Sequence, residues 1–187
     1  MTEPKNIDRS KGILPQKEKG SLQPIIPQSI EEQRRLQLER LAAGFRLFAL
    51  YGFDEGLAGH ITLRDPEFSD HFWVNPLGMN FSQISVSDLL LVREDGQIIQ
   101  GTRPINPAAF AIHSSIHKAR PDVNSAAHAH SIYGRTFSSL GKLLDPITQD
   151  AALFFQEQAI YDSYGGVAFD IEEGLAIAEA LGEKRTA

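Results

Sequence analysis

The stretch from Gly59 to Ile99 constrains the fold more than any other part of the chain. It divides into short β-like runs, His60 to Arg64, Phe72 to Asn75, Leu89 to Val92 and Ile98-Ile99. Turn signals separate them: Asp65-Pro66, Asn75-Pro76-Leu77-Gly78, and Asp95-Gly96, a dipeptide that favours hairpins. Helical patterns flank the block. Ser29-Ile30-Glu31-Glu32 has the form of a capping box, opening a helix with Leu36, Leu38, Leu41, Phe45, Phe48 and Ala49 toward the core and Gly52 at its end. Asn106 to Lys118 reads as a second helix, closed by Arg120-Pro121-Asp122 because proline disfavours helical geometry in the residue before it. Strands followed by helices around a mixed sheet define an α/β, or α+β, sandwich.

After Asp122 comes a strand-like run ending in two histidines one residue apart, Val123-Asn124-Ser125-Ala126-Ala127-His128-Ala129-His130. Alternate residues of a strand share a face, so His128 and His130 should look the same way among small alanines. Neutral imidazoles are the commonest protein ligands for divalent metals, and two of them make half a first shell. The alternative is a hydrogen-bonded or exposed pair without a metal. Ser131 can cap a following helix through Tyr133 and Phe137 to Leu140, with Gly141 beyond it. Pro146 to Phe155 reads as another strand region, Gly165-Gly166 as a bend before Val167 to Phe169, and Ile171 to Leu181 as a final helix closed by Gly182.

The chain has 187 residues, enough for one domain, and its 42% hydrophobic content supplies a core. A net charge of −6 without a basic cluster argues against nucleic acid as a partner. With no cysteine, neither disulfides nor thiolate metal sites are available. No apolar run approaches the roughly 20 residues of a membrane span. Residues 1–28 are polar and punctuated by Pro4, Pro15, Pro24 and Pro27, so they read as a disordered tail before a domain at 29–187. A cytoplasmic location is the expectation.

Taken in order, these motifs resemble the class II aldolase/adducin family. The matching pieces are Gly56 to Arg64, Asn75-Pro76-Leu77-Gly78, Ser87-Asp88-Leu89-Leu90, Ile105-Asn106-Pro107-Ala108, Ile112-His113 through Ala119-Arg120-Pro121-Asp122-Val123, and His128-Ala129-His130. The resemblance runs from about Ile30 to the end. It implies a central, mainly antiparallel sheet flanked by helices, a tetrameric homo-oligomer, and a zinc or other divalent ion bound by histidines. It also implies lyase, decarboxylase or related chemistry on a small carbonyl or acid substrate. His128 and His130 match the first two metal ligands; Gly59, His60, Gly78 and Asn106 match substrate-binding positions.

The sequence departs from the family pattern in three ways. The family's third histidine lies in an Asn-His-Gly motif, and this sequence stops just before that motif should begin. A truncated domain and a weakly held metal are therefore expected. Ala109 stands where the aldolases carry a glutamate general acid/base, closer to the adducin-like branch, so aldol cleavage of sugar phosphates is not expected. His60 replaces an asparagine, Leu77 a serine, and Asn106 and Pro107 further serines, which favours a substrate without phosphate. The alternative function is a non-catalytic, adducin-like interaction module with cytoskeletal partners.

Three other readings stand beside these. His60 either touches ligand or is a hydrogen-bonded structural residue. His113 and His117, one helical turn apart, read as helix packing rather than as metal ligands. Asp70 and His71 read as a solvated turn.

Overall fold

A computed structural model describes residues 25–187, with 57 and 164 excepted. The expected tail falls almost entirely outside the described residues. Helix α1 spans Ile30–Leu50, and the Ser29 side chain accepts a hydrogen bond from the Glu32 amide at 3.2 Å. The capping box is only half formed, because the Glu32 carboxylate accepts from the Gln28 amide instead.

Five strands follow: β1 (His60–Arg64), β2 (His71–Val74), β3 (Leu90–Arg93), β4 (Ile98–Gln100) and β5 (Ser125–His128). They form one sheet in the order β4-β3-β2-β1-β5, and every pairing is antiparallel. β1 to β4 make a simple meander, with Gly96 at a φ of 92° in the expected Asp95-Gly96 turn. β5 arrives through helix α2 (Pro107–Ala119) and pairs with the free edge of β1. His71 belongs to β2 rather than to a solvated turn, and its Nδ1 lies 2.7 Å from Asp70 Oδ1.

Helices cover both faces of the sheet, which is why its central strands are apolar on both sides. On one face Leu38, Leu41 and Phe45 of α1 pack against Ile61, Trp73 and Leu91, with Phe81, Ile84 and Leu89 completing the cluster. Phe45 is fully buried, and burying such a side chain is worth roughly 1.5–3 kcal/mol. On the other face Ala109 of α2 sits in a cluster with Phe72, Val74, Leu90 and Val92. The alternation Phe72, Trp73, Val74 therefore serves two cores in turn.

Three short helical elements remain. α3 (Ile132–Ser138) follows the cap at Ser131, α4 spans Gln149–Ala152, and α5 spans Ile171–Leu181. The strand expected within residues 146–155 is α4 instead: Thr148 caps a helical turn by accepting from the Ala151 amide at 3.1 Å. The bend expected at Gly165-Gly166 falls at Gly166-Val167. Helix α5 lies on α2, where Ala178 and Leu181 pack with Ile116. Gly174 permits that approach, since a Cβ there would stand 2.1 Å from the Ala111 carbonyl oxygen. Among the described residues, no helix is long and apolar enough to cross a membrane.

Candidate histidine site

The pairing of β1 with β5 builds the site. His60 lies directly opposite His128, and Thr62 opposite Ala126. Residues two apart share a face, so His60, Thr62 and His128 all look toward α2. Helix α2 offers His113 and His117 from adjacent turns of its sheet-facing side, both buried to 1% exposure.

The side chains meet in one continuous series. His60 Nδ1 lies 2.7 Å from His113 Nε2. His113 Nδ1 is 2.7 Å from the Thr62 hydroxyl, which is 2.9 Å from His117 Nε2. His117 Nδ1 lies 3.3 Å from the Val123 carbonyl oxygen. The His60 ring also stacks on His128, with centroids 4.9 Å apart. His128 in turn meets His130, Nε2 to Nε2, at 2.8 Å.

His130 lies two residues after His128, just beyond the end of β5. Its ring stands edge-on to that of His128, with centroids 4.7 Å apart. Burial holds the His60, His113, His117 and His128 rings in the neutral form, because a charged imidazole loses its hydration there. Desolvation, with His128 and His130 nearby, lowers His60 to about 3. Desolvation also brings His117 to about 4, assisted by the Arg64 charge, and His128 to about 4. His113 is pushed well below its ordinary value, again chiefly by burial.

Of the other expected site residues, Gly59 adjoins this cluster, while Gly78 and Asn106 belong to the segments around the start of α2. Gly59, at a φ of 109°, precedes His60; a Cβ there would come within 3.1 Å of the His128 carbonyl oxygen and 3.0 Å of the Phe81 ring. Asn75 ties the neighbouring loop to β1, donating from Nδ2 to the Gly59 carbonyl at 3.4 Å and accepting from the Ile61 amide at 3.3 Å. In the same loop, the Leu77 amide donates to the Pro104 carbonyl at 2.8 Å, bringing the Gly78 turn beside the approach to α2. Asn106 caps α2, its Oδ1 accepting from the Ala108 amide at 2.9 Å. A cavity of about 850 Å³ lies between α2, β5 and α5, and among the expected site residues only His128 lines it.

Ala109 is fully buried in the apolar cluster and offers no group for proton transfer. Thr62 is the central residue that sequence reasoning missed. Its signal was present: it stands two positions after His60, on the same strand face, but a threonine in a β run carries no chemical mark of its own.

The chemistry of the pair suits a divalent metal. The two Nε2 atoms already face each other, and a neutral ring is the ligating form. A tetrahedral ion would need them roughly 3.3 Å apart, an opening of about half an ångström. They fill two positions only; among the described residues, no group of three or more histidine or carboxylate side chains is placed to hold a metal.

An antiparallel sheet between helix layers, with paired histidines at the end of the strand added after α2, defines the class II aldolase type of α/β protein. The family model for the Class II Aldolase and Adducin N-terminal domain matches residues 39–187, and the chain belongs to that family. It is 43% identical to Decarboxylase NovR of Streptomyces niveus over 161 residues, 85% of this chain and 60% of that protein. It is 45% identical to 4-hydroxy-3-prenylphenylpyruvate oxygenase/4-hydroxy-3-prenylbenzoate synthase of Streptomyces roseochromogenus subsp. oscitans over 152 residues, 80% of this chain and 55% of that one. Among solved structures, L-fuculose 1-phosphate aldolase from Glaciozyma antarctica PI12 superposes with a TM-score of 0.78 at 44% identity, covering 87% of this chain and 63% of that chain. The chain thus spans between 55% and 63% of the length of these three proteins.

Proposed function

We propose that the chain is a metal-binding class II aldolase/adducin protein in which His128 and His130 hold zinc or another divalent ion, supporting lyase or decarboxylase chemistry on a small carbonyl or acid substrate. One observation carries this reading: two half-buried imidazoles present Nε2 to Nε2 at 2.8 Å. A bound divalent ion would supply Lewis-acid polarisation of a substrate carbonyl. The chain's own contribution is positional. β5 fixes His128, His130 follows just beyond the strand, and burial keeps the His128 ring in its ligating form near neutrality. Gly59, His60, Gly78 and Asn106 are assigned to substrate binding around that point. The two bacterial relatives, named as a decarboxylase and an oxygenase/synthase, support a small acid as substrate.

Assembly into a cytoplasmic homo-oligomer, a tetramer as in the family, belongs to the same reading. The exposed Tyr133, Ile147, Val167 and Phe169 side chains offer apolar surface for it.

A second reading, a non-catalytic adducin-like interaction module, is favoured by Ala109 in its apolar cluster. Metal content separates the two. Purified protein equilibrated with zinc should retain metal that the double variant His128→Ala, His130→Ala loses. Equal zinc in both proteins would defeat the metal assignment and leave the interaction module.

A further inference from the structure

Among the described residues, β5 is an edge of the sheet, paired with β1 on one side only, and His128 stands at its end. Whatever fixes the register of β5 therefore fixes where the histidine pair lies. The strand's own side chains specify that register weakly. Ala126 and Ala127 point to opposite faces and are identical, so within the strand a one-residue slip exchanges like for like. Ser125 adds one side-chain bond, from Oγ to the Thr62 carbonyl at 2.7 Å.

The main fastening comes from Arg64, the last residue of β1. Its backbone amide donates to the Asn124 carbonyl at 2.7 Å. Its guanidinium takes carbonyls at the end of α2 and in the connection to β5. Nε donates to Val123 at 3.3 Å, and Nη2 to His117 at 2.6 Å and to Arg120 at 3.2 Å. Nη2 also comes within 3.3 Å of His117 Nδ1, so the clamp abuts the histidine series. Nη1 donates to the Ser69 carbonyl between β1 and β2, and lies 3.9 Å from the Glu94 carboxylate.

These carbonyls need an outside donor. The last carbonyls of a helix have no partner within it, and those of His117 and Arg120 close α2. A cation there also meets the negative end of the helix dipole. The Arg64 side chain is 11% exposed, so the bonds form largely out of water. A guanidinium suits this task because it spreads five N–H groups over a rigid, planar fork, against three on the single nitrogen of lysine.

We propose that Arg64 is a positioning residue for the histidine pair: it measures out the connection from α2 so that Asn124 meets Arg64 and His128 comes to rest opposite His60. Holding the Arg120 and Val123 carbonyls on one guanidinium sets how much chain leaves the helix before the strand begins. From that anchor the pairing runs Leu63 with Ser125, Thr62 with Ala126, Ile61 with Ala127 and His60 with His128. Arg64 stands at the far end of β1 from His60, so it acts on the pair through the register. The inference rests on the proposed function in treating that pair as the metal site, and it adds the residue that presents it.

The test combines nuclear Overhauser spectroscopy and amide hydrogen exchange on metal-free protein, with zinc titration as a separate arm. Wild type should show contacts between Ile61 and Ala127 and between His60 and His128. Arg64→Lys keeps the charge and loses the fork. It should lose those contacts, and the β5 amides facing β1 should exchange faster while those between β2 and β3 keep their rates. Zinc affinity should fall by about 10–100-fold, the usual effect of removing a residue that orients a metal ligand. Asp65→Ala is the control for stability alone: it removes a comparably buried anchor at the next residue and should leave the β1–β5 contacts and zinc affinity unchanged. A glycine inserted between Pro121 and Asp122 tests the clamp with Arg64 in place; it should bulge outward and leave the register as it is. Unchanged contacts or wild-type zinc affinity in Arg64→Lys would overturn the proposal. So would an equal zinc loss in Asp65→Ala, or a one-residue shift of register on insertion. If Arg64→Lys does not fold, the insertion decides. If wild type binds no zinc, the metal reading fails, and the register result, measured without metal, stands on its own.

Discussion

Strand β1 buries a polar cluster at each end, and the two ends keep those groups stable by opposite means. At the start, His60 and Thr62 join His113 and His117 in a series with no net charge. Just past the other end, Asp65 stays ionised at 3% exposure. Burial alone would raise its carboxyl, but Arg34 donates to it from Nε at 2.8 Å and from Nη2 at 3.0 Å. The Trp73 indole adds a bond at 2.8 Å and the Glu67 and Phe68 amides two more, and together they bring Asp65 down to about 2. A charge is kept where donors surround it; where donors and acceptors balance one to one, neutrality is kept instead. The charged end is rigid by construction, joining α1 to the sheet. The neutral end lies against the candidate site, where the His60 ring stacks on His128.

The largest expected effect separates the two ends by pH. Above about pH 6.5 the three inner histidines are neutral whether folded or unfolded and cost nothing. Below it the unfolded chain takes up protons that the buried rings refuse, so stability falls as pH drops, until His117 and His60 themselves protonate near 4 and 3. Each ring contributes about 1.4 kcal/mol per pH unit, roughly 4 for the three, against a domain stability of about 5–15 kcal/mol. Urea unfolding at pH 7, 6 and 5 should show that steep loss. Asp65 behaves in the opposite sense: its stabilisation is complete above about pH 4 and fades only as pH falls toward 2. Constant stability down to pH 5 would mean that the histidines are not held neutral.

A smaller effect tests the charged end at neutral pH. Asp65→Ala leaves the Trp73 indole and the half-buried Arg34 without their acceptor. Breaking one side of a buried pair costs about 3–5 kcal/mol, and the low end applies because Arg34 keeps 22% exposure and a second partner in Glu67. Chemical denaturation gives the value; a loss below about 1 kcal/mol would demote the cluster to surface status.

The smallest effect comes from the next residue along the same helix. Arg35 pairs with Glu39 at 2.7 Å, but both side chains are half exposed, so Arg35→Ala should cost less than about 0.5 kcal/mol in the same assay. Neighbouring arginines with equally short ion pairs thus differ severalfold, and the difference is burial.

Much of the architecture was legible from local patterns. The Ser29 cap, the Asp95-Gly96 turn and the Asn106-Pro107 helix start each rest on chemistry within a few residues, which sequence displays directly. The strand expected within residues 146–155 failed because an apolar run fits a short helix as well as a strand, and the Thr148 cap decided between them. The His-x-His spacing anticipated that His128 and His130 would look the same way, and their rings meet Nε2 to Nε2.

By itself, the sequence determined most of the elements, the order in which they come, and that histidines would end the strand after α2. Periodicity, caps and turn residues act over a handful of positions, so the chain states them without reference to anything distant. Only the tertiary structure decided that Thr62 would join histidines 51 and 55 positions away, that Ala109 would fill an apolar cluster, and that His60 would lie on His128. Those outcomes depend on strand register and on which face of α2 meets the sheet. A one-residue slip of β5 along β1 would turn His128 away from His60, to the opposite face of the sheet.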